Sequence, residues 1–261
     1  MIELKNLTAG YKGQAIVTNI SFIAYPNELT GLLGVNGAGK TTLLKTMSGL
    51  IPPIHGKCFI SGKNIYHMSE KQRSQCLSFM PQRSSIIYDI PVIDVVLMGI
   101  TPHLRFLETP SKKHRLLALH VLAQFNLSAF AHRSFLTLSE GQKQLVVIAR
   151  NLLQNASVML FDEPDSALDF KNRHWILNHI RELIVKSNRS GLITLHNPND
   201  ALNYCHRIII LNEGKIFHSF QPHIISVEEL KETFTAIYGK ITVIKHQGQW
   251  MIGRLFDESR V

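Results

Sequence analysis

The 261-residue sequence is poor in cysteine and has no long apolar segment. Its three cysteines, Cys58, Cys76 and Cys205, lie far apart and form no C-x-x-C pair. This usage indicates free thiols in a reducing compartment, and the histidines show no spacing typical of metal ligands. The first residues, MIELKNLTAGYKG, lack the apolar centre of a signal peptide. No run of about 18 apolar residues occurs, so we expect no membrane-spanning helix and any membrane role to come through a partner.

Acidic residues are also scarce. The sequence has 19 Asp and Glu and 28 Lys and Arg, which gives a formal charge of +9. A basic balance of this size is compatible with nucleic acid, an anionic membrane surface or phosphorylated ligands. The positive charges are dispersed, and the densest cluster, at residues 112–115, is too short to be a basic tail. We interpret it as a solvated face, with a face toward anionic lipid or RNA as the alternative. We expect no nucleic-acid partner.

The order of apolar and amphipathic segments indicates an α/β fold. Short apolar runs at residues 29–33, 158–161, 192–195 and 207–211 are typical of buried strands, and the first part of the chain has strand patterns. Helical periodicity fills residues 90–155 and 172–186. Strands that alternate with helices favour a core with a mostly parallel sheet.

The segment GVNGAGKT at residues 34–41 fits the pattern G-x-x-x-x-G-K-[ST]. It follows a predicted strand and opens a predicted helix, which is the context of a phosphate-binding loop. Glycines let backbone N–H groups converge on phosphate oxygens, and the helix N-terminus adds partial positive charge. Lys40 is placed to contact the β and γ phosphates and Thr41 to bind Mg²⁺. The segment therefore predicts a site for ATP with Mg²⁺.

A second apolar strand ends in two acids, Asp162 and Glu163. Asp162 can reach a Mg²⁺ ion held by the loop, and Glu163 would then lie beside the attacking water as general base. Two acids at a strand end can also be a plain strand terminus. Their combination with the phosphate-binding loop favours the catalytic interpretation.

Between these two motifs, LSEGQ at residues 138–142 resembles the LSGGQ signature of ABC ATPases. Other segments are similar to the same family. Gln82 resembles the Q-loop glutamine, residues 166–169 resemble the D-loop, His196 resembles the switch histidine, and Tyr11 resembles the aromatic A-loop residue. Taken alone, His196 and Tyr11 could be packing residues, and Ser139 could be only a helix N-cap. The resemblance covers residues 2–220.

The resemblance implies an α/β fold with a P-loop NTPase (RecA-like) core and a mostly parallel sheet. It adds an N-terminal antiparallel β subdomain and a helical subdomain insert. We expect residues 1–85 to hold the β subdomain with the P-loop part of the core, and residues 86–155 to hold the helical subdomain with the signature. Residues 156–221 would complete the core, and residues 222–261 would form a final helix and hairpin.

The resemblance also implies which residues act. The expected catalytic residues are Lys40, Glu163 and His196. The expected nucleotide-binding residues are Tyr11, Gly34, Asn36, Gly37, Ala38, Gly39, Lys40, Thr41, Thr42, Gln82, Ser139, Gly141, Gln142 and Asp169. The expected Mg²⁺ ligands are Thr41, Gln82 and Asp162. Three positions depart from the family pattern: Glu140 replaces a signature glycine, Asp165 a threonine and Asn197 an acid.

The implied assembly is a head-to-tail homodimer, with ATP between the P-loop of one copy and the signature of the other. The implied partners are permease subunits and, indirectly, a substrate-binding protein, at the cytoplasmic face of the inner membrane. Residues 92–103, VIDVVLMGITPH, and Tyr238-Gly239 resemble importers of iron-siderophore, haem, cobalamin and related metal chelates, although Ile100 stands where arginine is usual. Gly99 and Pro102 could instead be a helix stop. The alternative function is a non-transport ABC ATPase, such as an assembly scaffold.

Overall fold

The strands and helices follow the hydrophobic pattern of the chain, and a computed structural model describes residues 1–82 and 86–255. The strands are β1 (Ile2–Tyr11), β2 (Gln14–Ala24), β3 (Leu29–Leu33), β4 (His55–Ile60), β5 (Lys63–Asn64), β6 (Leu77–Met80), β7 (Val158–Asp162), β8 (Ser190–Thr194), β9 (Arg207–Asn212), β10 (Lys215–Phe220), β11 (Ile241–His246) and β12 (Gln249–Arg254). The α-helices are α1 (Lys40–Met47), α2 (Glu70–Cys76), α3 (Val92–Leu97), α4 (Lys112–Gln124), α5 (Glu140–Leu153), α6 (Phe170–Lys186), α7 (Pro198–Tyr204) and α8 (Val227–Tyr238).

The central sheet has the order β10-β9-β3-β8-β7-β6. Neighbouring strands from β9 to β6 are parallel, and β10 is antiparallel to β9. Every residue of β3, β7 and β8 is buried, because both faces of the sheet are covered. The predicted parallel core is therefore confirmed.

A second, antiparallel sheet covers one face of the central sheet. Its order is β2-β1-β4-β5. Leu7 and Ile20 of this sheet share a hydrophobic core with Leu160 and Ile209 of the central sheet and with helix α1. The predicted N-terminal antiparallel β subdomain is confirmed, and it places the start of β2 beside the segment that follows β3.

The helical segment packs against the other side of the core. Helix α5 lies against α3 and α4, and their apolar side chains join one large core. Ser139 caps α5, accepting from the Gln142 N–H at 3.3 Å while its own N–H donates to the Gln142 side chain at 3.0 Å. The predicted N-cap is present, and the helix extends to Leu153.

The helix stop, which is the alternative interpretation of Gly99 and Pro102, is only partly correct. Helix α3 ends at Leu97, but a 3₁₀ helix continues from Met98 to His103 with Pro102 inside it. A Cβ on Gly99 would lie 2.3 Å from the Arg150 carbonyl oxygen of α5. Glycine is therefore required here by the close approach of two helical segments.

The C-terminal segment is held on helix α7. The side chain of Asn199 accepts from the Ile252 N–H at 2.6 Å and donates to its carbonyl at 3.2 Å. Asn203 makes the same two contacts with Trp250, both at 2.9 Å. Two asparagine side chains thus bind strand β12 as a neighbouring strand would. The predicted final helix and hairpin are both present.

The division of the chain into four segments stays a prediction, since its boundary at residue 85 and the end of its last segment, residues 256–261, lie outside the described residues. Within the described part, no helix combines the length and apolar character needed to cross a membrane.

Candidate nucleotide site

The candidate site lies at one edge of the central sheet, where three neighbouring parallel strands end. Strand β3 ends at Leu33, β7 at Asp162 and β8 at Thr194. In parallel sheets with helical connections, ligands bind outside the carboxyl ends of the strands. This topology brings residues that are distant in sequence to one edge of the sheet. His196 lies at the same edge, because it follows the end of β8 by two residues.

The loop after β3 has a backbone that only glycine adopts easily. Gly34 has φ of 152°, and a Cβ there would lie 2.3 Å from the Leu211 carbonyl oxygen. Gly39 has φ of 96°, and its Cβ would meet Val17 Cγ1 at 2.4 Å. The loop therefore closes tightly before helix α1 starts at Lys40, with the helix N-terminus at its inner side.

Lys40 is folded over this loop. Its side chain is 6% exposed, and Nζ donates to the carbonyls of Gly34 at 2.8 Å and Val35 at 3.3 Å. Burial lowers the pKa of its amine, while Glu163 and Asp162 act in the opposite direction. The ammonium thus contacts the loop's carbonyls and lies within the electrostatic influence of the two acids.

Asp162 is buried and held by two hydroxyl groups. Its Oδ1 accepts from Thr194 Oγ1 at 2.9 Å and from Thr41 Oγ1 at 3.2 Å. Burial raises the pKa of the Asp162 carboxyl, and the two hydroxyl hydrogen bonds oppose that shift. The hydroxyl and carboxylate oxygens therefore lie together, as an oxygen-preferring cation requires.

Three contacts hold Glu163 in place. His196 Nε2 lies 2.6 Å from its Oε1, and Gln82 Nε2 donates to its Oε2. Its backbone N–H donates to Thr194 Oγ1 at 2.8 Å, and its φ is 50°. A non-glycine residue in this left-handed region costs on the order of 1 kcal/mol or more, so the surroundings must hold it.

These residues line one cleft of about 460 Å³. The predicted residues that line it are Asn36, Gly37, Ala38, Gly39, Lys40, Thr41, Thr42, Gln82, Glu163 and His196. Asp162 joins them through its bond to Thr41. A glycine cradle with a buried ammonium fits phosphates, and a hydroxyl, a carboxylate and an amide oxygen fit Mg²⁺. The residues present therefore fit both ATP and Mg²⁺.

Seven predicted residues do not line this cleft, and two of them, Gly34 and Asp162, contact the lining residues Lys40 and Thr41. Ser139, Gly141 and Gln142 lie at the N-terminus of α5, where Gly141 approaches the carbonyl oxygen of Ala167. Asp169 caps α6, accepting from the Asn172 N–H at 2.8 Å. Tyr11, 45% exposed, ends strand β1 outside the cleft. A single chain thus separates the signature segment from the phosphate-binding loop.

Sequence reasoning missed two residues of the site. Thr194 contacts both Asp162 and the Glu163 backbone, and its position at the end of a strand next to β7 could have signalled it. Ile16 lines the cleft from the start of β2, and an apolar residue in a strand gives no comparable signal.

Each of the three departures from the family pattern has a local partner. Glu140 pairs with Lys143 at 2.8 Å, and Asn197 caps α7 by accepting from the Asn199 N–H at 2.9 Å. Asp165 lies 3.5 Å from Arg173 Nε. None of these side chains lines the nucleotide cleft.

Comparison with known sequences identifies the family of the chain. The sequence profile of the family described as ABC transporter matches residues 17–166. The probable iron chelatin transport ATP-binding protein of Helicobacter pylori strain 26695 is 34% identical over 218 residues, which cover 83% of this chain and 86% of that protein. The manganese transport system ATP-binding protein of Bacillus subtilis is 33% identical over 246 residues, covering 94% and 95%.

Two solved structures have the same fold. One, described as a metal-chelate type ABC transporter in an inward-facing conformation, aligns with a TM-score of 0.82 and 26% identity over 100% of this chain and 99% of that chain. The other is a dimeric ATP-binding cassette in a post-hydrolysis state, bound to ADP and Pi. It has a TM-score of 0.77 and 26% identity over 86% of this chain and 100% of that one.

Proposed function

Because this chain belongs to the ABC transporter family and is an ATP-hydrolysing cassette of that family, we propose that it is the motor subunit of a metal-chelate importer. In this proposal two copies hydrolyse ATP between them and drive a separate membrane permease. The observation that carries the proposal is the convergence of Lys40, Asp162, Glu163 and His196 at the phosphate-binding loop.

The chain's own residues divide the work of hydrolysis. The loop's N–H groups and the start of α1 bind the phosphates, and Lys40 contacts the β and γ oxygens. Thr41, Asp162 and Gln82 would hold Mg²⁺, which neutralises phosphate charge when bound. Lys40 Nζ uses two of its three donors on the carbonyls of Gly34 and Val35, so one donor remains for a phosphate oxygen. Gln82 contacts Glu163 through Nε2, which leaves its amide oxygen for the cation.

Glu163 is placed to be the general base. Its carboxylate takes a proton from water while the water oxygen bonds to the γ phosphorus and the bond to the β–γ bridging oxygen breaks, which gives ADP and phosphate. His196 donates to the Glu163 carboxylate and keeps it oriented. A positioned base contributes roughly 10²–10⁴ in rate.

The separation of the signature from the loop supports a composite site. The N-terminus of α5 is capped internally by Ser139 and Gln142, yet it carries the partial positive charge that attracts phosphate. We propose that the Ser139 end of α5 in one copy covers the nucleotide of the other, with Asp169 at the same interface. Tyr11 would stack on the base. The dimeric relative bound to ADP and Pi supports this arrangement.

The proposed cargo is a metal chelate such as an iron-siderophore, haem or cobalamin. The iron chelatin relative and the metal-chelate type structure support this class, and residues 92–103 carry the same resemblance. Cargo would enter from a substrate-binding protein that this chain does not touch. The chain itself would lie at the cytoplasmic face of the inner membrane, attached through the permease.

Substitution of Glu163 tests the proposal. We expect Glu163→Gln to reduce hydrolysis at least a hundredfold, because the amide cannot accept the proton, while ATP still drives dimer formation in light scattering. Glu182→Gln is the matched control, since Glu182 is an exposed glutamate bonded to Lys186. Normal turnover by Glu163→Gln would refute the assignment of the base.

Transport is tested by purifying the chain with its permease and reconstituting both in vesicles. We expect ATP-dependent uptake of a ferric siderophore, haem or cobalamin by the wild type and none by Glu163→Gln. Purification without any membrane partner would contradict the importer and favour an assembly factor.

A further inference from the structure

A second cleft lies under the C-terminal hairpin, away from the nucleotide site. It has a volume of about 620 Å³ and is bordered by helix α6, the segment joining α7 to β9, the segment after β10 and the turn between β11 and β12. This volume falls within the range of small-molecule pockets, roughly 300–1,000 Å³. The hydrolysis mechanism uses none of its residues.

The described lining of this cleft has one sign of charge. Arg181, His206, His223 and Lys245 face it from four different segments, and no described lining residue carries a carboxylate. Burial raises the pKa of the Cys205 thiol at its floor, so that group stays neutral at physiological pH. Two acids outside the lining act on its groups, Glu28 on His206 and Asp200 on Cys205. Each has a partner of its own, Arg207 for Glu28 and His174 for Asp200.

Its hydrogen-bond donors are also available. In the described ranges 1–82 and 86–255, the side chains of Arg181 and His223 take part in no hydrogen bond or ion pair. His206 Nδ1 accepts from the Leu29 N–H at 2.9 Å, so the neutral ring carries its proton on Nε2. Burial and, after it, the positive charge of Arg181 lower the pKa of His206, while Glu28 acts in the opposite direction.

We propose that this cleft binds a small soluble molecule that carries a phosphate group. The planar guanidinium of Arg181 matches a phosphate bidentately, and Lys245 and the imidazole N–H of His206 supply further donors. One anion would contact α6 and the hairpin together, because both border the cleft. Bound ligand therefore clamps strands β11 and β12 to the core.

Trp250 gives a direct readout of binding. Its indole is 4% exposed, donates to the Pro222 carbonyl at 2.9 Å and lies 4.6 Å below Lys245 Nζ. The chain has two tryptophans, so Trp175→Phe leaves Trp250 as the fluorophore. A phosphate that draws Lys245 from the ring changes the surroundings of this indole.

The test titrates fructose 1,6-bisphosphate into the Trp175→Phe chain with the nucleotide cleft saturated by an ATP analogue and Mg²⁺. We expect a saturable change in Trp250 fluorescence, and binding at least tenfold weaker after Arg181→Gln or Lys245→Gln. Lys231→Gln, an exposed lysine on α8, is the matched control. Hydrogen exchange in β11 and β12 should slow when the probe binds.

The outcomes separate this site from the transport proposal, because neither import nor hydrolysis is measured. No saturable signal in the Trp175→Phe chain, or equal affinity in that chain with and without Arg181→Gln, would overturn the site. Binding without slower exchange in the hairpin would overturn the clamp. Unchanged melting temperature of Arg181→Gln without probe shows that the variant is folded.

Discussion

Thr194 is the residue on which both acids of the nucleotide site depend, and its hydroxyl can be removed without changing its shape. The side chain is fully buried; Oγ1 donates to Asp162 Oδ1 at 2.9 Å and accepts from the Glu163 N–H at 2.8 Å. Thr194→Val deletes a hydrogen bond to a charged group, about 1.5–3 kcal/mol, and leaves a buried N–H unsatisfied, about 1–3 kcal/mol. Because the two losses are coupled, we expect a total of about 2–4 kcal/mol.

The expected loss of activity is larger than this destabilisation alone would give. Without the hydroxyl, the left-handed backbone of Glu163 loses the bond that fixes it, and displacement of a catalytic group by about 1 Å can cost a hundredfold. Turnover should fall by roughly tenfold to a hundredfold in a coupled ATPase assay on folded protein. Urea unfolding measures the stability change in parallel.

Thr194→Ser is the matched control for this substitution. It keeps both hydrogen bonds and loses one buried methyl, which costs about 1 kcal/mol. We expect its turnover to stay close to wild type. If the valine variant matches the serine variant in stability and turnover, Thr194 does not position the two acids and this reasoning is refuted.

Two further predictions concern other charges. Lys40→Ala should weaken ATP binding by about 1.5–3 kcal/mol in calorimetry, because a charge-assisted contact is lost. The control Lys231→Ala should bind ATP as the wild type does. Equal ATP affinities of Lys40→Ala and the wild type would exclude the phosphate role of Lys40. Asp200 is buried, and burial raises its carboxyl pKa above 3.8, so the folded chain holds this proton to higher pH and ionisation costs stability as pH rises. Asp200→Asn should therefore gain stability relative to wild type as the pH rises above 3.8 in urea unfolding, whereas a constant difference would contradict this linkage.

The sequence predicts those parts of the fold whose pattern is strong. The apolar run of β3, the glycine-rich loop and the strand ending at Asp162 were each predicted from residue types alone, and the parallel core is confirmed. Helix α2 and strand β6 were missed because α2 has no buried residue and β6 has four residues, so neither shows a clear period. Such short elements are specified by their neighbours.

The site was harder to predict where a side chain has no chemical role of its own and only positions a second residue. Lys40 and Glu163 carry chemistry in recognisable motifs, whereas Thr194 acts only by holding Asp162 and the backbone of Glu163. Gly99 was interpreted as a possible helix stop because glycine and proline together break helices. Glycine is needed at this position because the Arg150 carbonyl lies against it, and that contact depends on how α5 packs. Tertiary proximity of this kind leaves no local signal.

The composite site is tested most directly by mixing two inactive variants. Lys40→Ala lacks the phosphate contact, and Ser139→Arg blocks the N-terminus of α5, so neither homodimer should hydrolyse ATP. A mixed dimer pairs the intact loop of one copy with the intact signature of the other. The account predicts that the mixture hydrolyses ATP well above either variant alone. A mixture as inactive as its components would contradict a site shared between two copies.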